Sequence, residues 1–428
     1  MSLRHRARAP LGGLPRVAMA PATVRATIRA IIRATIRAIV PVMVLAAALL
    51  TLASPPVAAA ATGTASAADW QIPVPPVDAG PSTTPDAQRL ATALATYRKI
   101  ADSGGWPDLP ADARLTAGQR DPLVAELRER LKTTADFSGL PATADAWFFG
   151  YKLREGVEHF QRRHGLPATG EVDAATLDAL NVPAATRVAQ LETAIARWNQ
   201  LPRRFEPRYV WINIPAANLK LINDGATILE MRVIAGHPDR PTPRFKDEVQ
   251  QLVANPPWSV PRTIAVEDLL PWQQEDPGFI SRLDIRLFNA AGQEVDPRSF
   301  DWARLDANHF PYRLRQDPGP LNALGRLKFV LHNPWDIYLH DTPSRRLFDL
   351  NSRTLSSGCI RLAEPEKLAL ALGADPASLA AALASDATST LRLPQPVPVY
   401  AVYLTSWVGE DGTVHFRPDV YGWDAGLR

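Results

Sequence analysis

The sequence predicts a multidomain α+β protein in which a helical scaffold precedes a mainly β domain carrying an inserted cap. Three observations predict it. Apolar residues recur at helical spacing between residues 86 and 200. At Tyr209 the period switches from 3.6 to 2. Residues 264–320 then separate strand-like segments with Asp, Pro, Gly and Arg clusters, and a stretch that long between strands usually forms a lid or subdomain. A chain of 428 residues accommodates two or three domains, and its 40 prolines favour punctuated strands over long bundles.

The elements follow in order. Residues 1–67 hold eight arginines and no acidic residue, with a nearly pure apolar run over 38–53 and then small residues in A-x-A spacing. That is the layout of a secretory signal peptide, with Ala65-Ser66-Ala67 as the preferred cleavage site; a retained N-terminal membrane anchor is the second reading. Residues 68–120 read as a Pro-rich linker and a helical scaffold, with Leu90, Leu94, Tyr97 and Ile100 on one face. Over 121–183, Asp121-Pro122 opens a helix bearing Leu123, Leu127 and Leu131. Leu153, Val157 and Phe160 share a face of the next helix, His164-Gly165-Leu166-Pro167 ends it, and Asp173 caps another that bears Leu177 and Leu180. Residues 184–206 are a connecting helix closed by Pro202 and Pro207. From 207 to 428 the chain is β-rich: 209–214 is a strand, and 218–222 pairs with 227–234 across Asn223-Asp224-Gly225.

Without the leader the chain keeps 39 basic and 44 acidic residues, a net charge near −5 rather than +3. Nucleic-acid binding loses its electrostatic footing. Export makes the single cysteine informative. Cys359 has no disulfide partner within the chain, and a free thiol in an oxidising compartment is a liability unless it is used. A buried, inert cysteine is the competing reading.

Two segments supply chemistry. Residues 329–343 read FVLHNPWDIYLHDTP, and residues 355–362 read LSSGCIRL. His340 ends a strand expected over 337–340, and Cys359 stands between a Ser356-Ser357-Gly358 loop and a strand start, so both fall at strand edges where side chains can converge. A free thiol with pKa ~8.5 is mostly protonated at neutral pH. An imidazole beside it can take that proton and yield the thiolate nucleophile, which makes His340 the candidate general base and acid. The backbone N–H groups of Gly358 and Cys359 are candidates for an oxyanion hole. Arg361, two residues on, points to the face of Cys359 and is suited to hold a carboxylate or a loop carbonyl. Ser356, Ser357, Tyr338, Asn333 and Trp258 are further candidates to line a substrate cleft. His332, His340 and Asp341 raise a metal-site reading, but Asn333-Pro334 breaks the strand between the histidines and no HExxH or CxxC spacing occurs. No metal or cofactor is expected.

These segments resemble the L,D-transpeptidase family with its YkuD-type domain. The family signature is a His followed about twenty residues later by Ser-x-Gly-Cys-x-Arg, matched here by His340 and Ser356-Ser357-Gly358-Cys359-Ile360-Arg361. Many members carry His where this chain has Ser357. Ser-Ser-Gly-Cys, Asn322-Ala323-Leu324-Gly325-Arg326 and Tyr338-Leu339-His340-Asp341-Thr342-Pro343 resemble the large Gram-negative YcbB-like subgroup. The helical pair over 151–181 resembles the small three-helix peptidoglycan-binding domain.

The resemblance implies a periplasmic enzyme whose partners are peptidoglycan stem peptides. Cys359 would attack the diaminopimelate carbonyl of a donor tetrapeptide and release D-Ala, and an acceptor amine would then take the acyl group in a 3→3 cross-link. Carbapenem-type β-lactams are the implied inhibitors. An L,D-carboxypeptidase, an enzyme attaching an envelope protein to peptidoglycan, and a non-catalytic peptidoglycan-binding protein are the alternatives.

Overall fold

Capping chemistry sets the bounds of the leading helices. The computed structural model describes residues 84–139, 145–299 and 301–425; the leader expected over 1–67 and the Pro-rich linker after it lie outside the described residues. Helix α1 (Pro85–Asp102) begins where the Thr84 hydroxyl accepts from the Ala87 amide and ends before Gly104 and Gly105. Helices α2 (Leu123–Thr133), α3 (Tyr151–Arg163), α4 (Ala174–Leu180) and α5 (Ala184–Trp198) follow, with Asp173 Oδ1 accepting from the Thr176 amide at 2.8 Å to cap α4. α2, α3 and α4 enclose one core around Leu127, Leu131, Leu153, Phe160 and Leu177, and this core also takes in Leu109 and Leu115. The helical unit expected from residue 121 therefore reaches back to 109. α1 packs instead against α5, which makes the expected scaffold and connecting helix a single layer.

Strands β1 (Arg208–Asn213), β2 (Asn218–Asn223), β3 (Ala226–Gly236) and β4 (Phe245–Ala254) open the β domain. The cap comes next: β5 (Trp258–Ser259), a π-helical turn (Ile264–Leu269), α6 (Leu270–Glu275), α7 (Phe279–Arg282), β6 (Ile285–Phe288), β7 (Glu294–Val295) and β8 (Arg313–Gln316). The chain returns through β9 (Leu327–Phe329), β10 (Leu339–His340), β11 (Thr354–Ser356) and β12 (Ile360–Leu362). Helices α8 (Pro365–Ala371) and α9 (Pro376–Ala384), strand β13 (Ser389–Val402) and the hairpin of β14 (Ser406–Val408) and β15 (Val414–Phe416) complete it.

Nine strands form one sheet in the order β11-β3-β12-β10-β9-β4-β13-β1-β2, and β2 also pairs with β3, so eight of them close into a barrel. Val210, Ile212, Leu219, Leu252, Phe329, Leu339, Ile360 and Val399 fill its interior. Because strand side chains alternate, the residues between them face outward. On β1 and β13 the outward Trp211, Tyr400 and Val402 are covered by α1 and α5. On β9, β10 and β12 the outward residues are polar, and there the site lies.

The segment expected to be less sheet-like, 264–320, contains strands after all: β6, β7 and β8 join the preceding β5 in a four-stranded antiparallel sheet over a core of Ile280, Leu287, Trp302, Phe310 and Leu314. Strands of two to four residues are too short to display a period in sequence. Trp258, expected in the substrate cleft, packs against this cap core instead.

Leu339 has no exposed surface and faces the barrel core beside His340. Leu339→Ala is expected to lower the unfolding free energy by ~2–5 kcal/mol, measured by urea denaturation; an unchanged midpoint would contradict the inward assignment.

Candidate active site

The register of three short strands assembles the site. Leu339 on β10 lies opposite Phe329 on β9 and Ile360 on β12, and all three point into the barrel. His340 lies opposite Lys328 on β9 and Arg361 on β12. Alternation therefore turns Lys328, His340 and Arg361 to the outer face in one row. Tyr338 and Cys359, each two residues earlier on its own segment, join them on that face. The Tyr338 and His340 rings meet edge to face at 5.6 Å between centroids, and Lys328 Nζ stands 3.8 Å from the Tyr338 ring centroid.

The turn before Cys359 is built by local bonds. Gly358 has φ +108°, a region disfavoured for residues with a side chain, and a Cβ there would press within 3.0 Å of Ile337 Cδ1. Its carbonyl accepts from Thr242 Oγ1 at 2.7 Å. Ser356 Oγ donates to the Cys359 carbonyl at 2.5 Å and accepts from the Gly358 amide at 3.2 Å. Two expectations change as a result. The Gly358 N–H is engaged by Ser356 rather than free for an oxyanion, and the buried Ser356 shapes the loop rather than meeting substrate. The Cys359 N–H has no hydrogen-bond partner among the described residues.

His340 is buried, and its Nδ1 lies 2.5 Å from the Asp341 carbonyl. The Asp341 carboxylate accepts from the amides of Arg326 at 2.8 Å and Thr342 at 2.7 Å and pairs with Arg345. Gly325, at φ +60°, leaves room for that carboxylate, which a Cβ would overlap. The 322–326 loop thus supports the histidine. Asp341 is committed to these bonds and His332 is exposed, so the rival metal grouping is not assembled; among the described residues no three His, Cys, Asp or Glu side chains are placed to hold an ion.

Electrostatics follow from burial and the row. Burial first, then the Arg361 charge, lower the His340 pKa to about 3, with Lys328 adding to the effect. Burial raises the Cys359 thiol above its ordinary value, opposed by hydrogen bonding from Tyr338 and by the charges of Lys328 and Arg361. The resting site is therefore a neutral thiol and a neutral imidazole, with no hydrogen bond between them. The imidazole is thus unprotonated at neutral pH, and both cations favour a thiolate once it forms.

Residues 207–378 match the model of the L,D-transpeptidase catalytic domain, YkuD. That matched segment holds both Cys359 and His340. Residues 120–180 match the model described as "Putative peptidoglycan binding domain". A Haemophilus influenzae protein named "Putative L,D-transpeptidase" is 40% identical over 219 residues, which is 50% of this chain and 44% of that one. The match thus spans less than half of that relative's length. Among solved structures, an L,D-transpeptidase from Stackebrandtia nassauensis is similar at 12% identity and a TM-score of 0.26, over 67% of this chain and 94% of that one. The catalytic domain of an E. faecium L,D-transpeptidase, acylated by ertapenem, is similar at 13% identity and a TM-score of 0.22, over 46% and 99% of the two chains.

Within the matched segment and beside it the remaining expected residues divide. Ser357 is exposed and its hydroxyl accepts from Arg240 at 3.1 Å. Asn333, expected to meet substrate, is spent on its own loop: Oδ1 accepts from the Trp335 and Ile337 amides, and Nδ2 donates to the Ile337 carbonyl and Asp247. Two residues escaped the sequence reading. Lys328 sits in Leu327-Lys328-Phe329, where a charge between two buried apolar residues signals an outward position. Arg240 donates to both Asp268 oxygens at 2.6 and 2.8 Å and to Glu267 at 2.6 Å, tying the Cys359 loop to the cap's π-helical turn. No sequence pattern marks that pairing.

A neutral thiol with a raised pKa gains thiolate steadily as pH rises, while His340 stays neutral down to about pH 3. Iodoacetamide alkylation of Cys359 is therefore expected to accelerate continuously from pH 6 past pH 9. A rate that levels off below pH 8 would indicate a thiolate–imidazolium pair instead.

Proposed function

We propose that the protein is a peptidoglycan L,D-transpeptidase that acts through a thioester on Cys359. The observation that carries this reading is the outward face shared by Cys359, Tyr338 and His340 inside a domain matched to the L,D-transpeptidase family. Cys359 Sγ attacks the diaminopimelate carbonyl of a donor tetrapeptide, and its proton passes to the His340 imidazole. The Cys359 N–H, together with the Tyr338 hydroxyl that hydrogen-bonds Cys359, would serve as donors for the oxyanion. Collapse of the tetrahedral intermediate breaks the amide bond, and His340 returns the proton to the departing D-Ala nitrogen. An acceptor amine on a neighbouring stem then attacks the thioester, loses a proton to His340 and restores the thiol, leaving a 3→3 cross-link.

The exposed Ser357 and the half-buried Arg361, on either side of Cys359 in sequence, are the proposed contacts to the stem, and the module over 120–180 is suited to hold the polymer. The reading also requires export to the periplasm, for which residues 1–67 are the proposed leader or membrane anchor. Carbapenems are the proposed inhibitors, because their strained carbonyl offers the same thiol an acyl donor.

Incubation of the protein with a carbapenem, followed by intact mass measurement, is expected to show one covalent adduct that is absent in Cys359→Ala. Persistence of the adduct in that variant would rule out Cys359 as the nucleophile.

A further inference from the structure

The row Lys328–His340–Arg361 crosses three adjacent strands, with neighbours about 4.8 Å apart in the hydrogen-bonding direction. Two cations thus flank the imidazole, and neither is paired. Lys328 has no carboxylate within ion-pair distance among the described residues; its ammonium rests on the Tyr338 ring, and Asp336 acts on it only at a distance. Arg361 makes no side-chain hydrogen bond among the described residues, and its Nε is buried without a partner.

Among the described residues, other buried arginines are spent on carboxylates or carbonyls. Arg163 binds Asp136, Arg197 binds Asp424, Arg130 donates to the Leu180 carbonyl, and Arg187 donates to the Ala179 carbonyl. Leaving a guanidinium unmet inside a protein is costly, and a ligand anion removes the cost. Arg361 and Lys328 carry that cost on either side of His340, on the face that also bears Cys359.

Substrate chemistry says which anion fits. In the donor stem, the nitrogen that leaves belongs to D-Ala, whose carboxylate is on the adjacent carbon. In the acceptor, the attacking nitrogen belongs to the D-centre of diaminopimelate, which also bears a carboxylate on the same carbon. Leaving group and acceptor are therefore the same fragment, a D-α-amino acid. We propose that Lys328 and Arg361 form one carboxylate subsite beside Cys359, which holds the α-carboxylate of the departing D-Ala and then that of the acceptor's D-centre. The subsite rests on the transpeptidase reading and adds a rule for both steps: the reacting nitrogen must carry a neighbouring carboxylate. Arg361 supplies a planar fork for the carboxylate oxygens, and Lys328 a point charge held in place by Tyr338.

The test compares a tetrapeptide stem ending in free D-Ala with the same stem ending in D-alaninamide, using the full chain and following acylation of Cys359 by mass. The wild type is expected to favour the free acid by at least about tenfold in kcat/KM. Lys328→Met should bring the ratio towards one, chiefly by slowing the acid, while Lys328→Arg should retain the preference; thermal midpoints report whether each variant is folded. The acyl-enzyme should likewise choose D-alanine over D-alaninamide as the attacking amine, and lose that choice in Lys328→Met. Equal rates for acid and amide in the wild type, or an undiminished preference in Lys328→Met, would overturn the subsite. Failure of both stems to acylate Cys359 in any form of the protein would instead overturn the transpeptidase reading beneath it.

Discussion

Leu327, Phe329, Leu339, Ile360 and Leu362 have no exposed surface, and their burial in the barrel governs everything around Cys359. Each side chain of this kind contributes roughly 1.5–3 kcal/mol on leaving water, so the five together hold the register of β9, β10 and β12 by on the order of 10 kcal/mol. A slip of one residue would turn all of them to solvent and send Lys328, His340 and Arg361 into the core. The outward row is therefore specified by the residues that take no part in chemistry. The strands themselves are only two or three residues long, so the ladder bonds alone would fix little.

The same outer surface of the barrel is used in two ways. Over β1 and β13 it is aromatic and apolar, and the α1–α5 layer seals it. Over β9, β10 and β12 it carries two cations, a histidine and the thiol, and the cap is tethered at its border through Arg240, Asp268 and Glu267. Charge is concentrated where the packing is incomplete. Burial and the flanking cations depress the basicity of His340, so its ring is neutral at neutral pH. The Asp341 carboxylate and Gly325 hold the backbone that orients the ring, so its support comes from a loop fifteen residues upstream in sequence.

Much of this was legible in the chain. The switch of period at Tyr209, the hairpin at Asn223-Asp224-Gly225 and the cap of α4 at Asp173 all rest on local rules, and each appears in the fold. The Cys359 and His340 motif pointed to the right strand ends. What stayed hidden depends on contacts between distant segments. The cap sheet is made of strands too short to show alternation. Ser356 and Asn333 read as substrate contacts because a polar side chain beside a nucleophile looks the same whether it faces a ligand or closes its own loop. Lys328 and Arg240 acquire their meaning only from a cross-strand partner and from an ion pair spanning 28 residues, neither of which has a sequence pattern.

The central claim is that the acyl group of a peptidoglycan stem passes through Cys359 to an amine. Incubation of the protein with disaccharide-tetrapeptide, followed by chromatography and mass analysis of the muropeptides, tests it most directly. The expected products are 3→3 cross-linked dimers with release of D-Ala, both abolished in Cys359→Ala. Accumulation of tripeptide alone would make water the acceptor and contradict transfer to an amine, and an unchanged tetrapeptide would contradict the account as a whole.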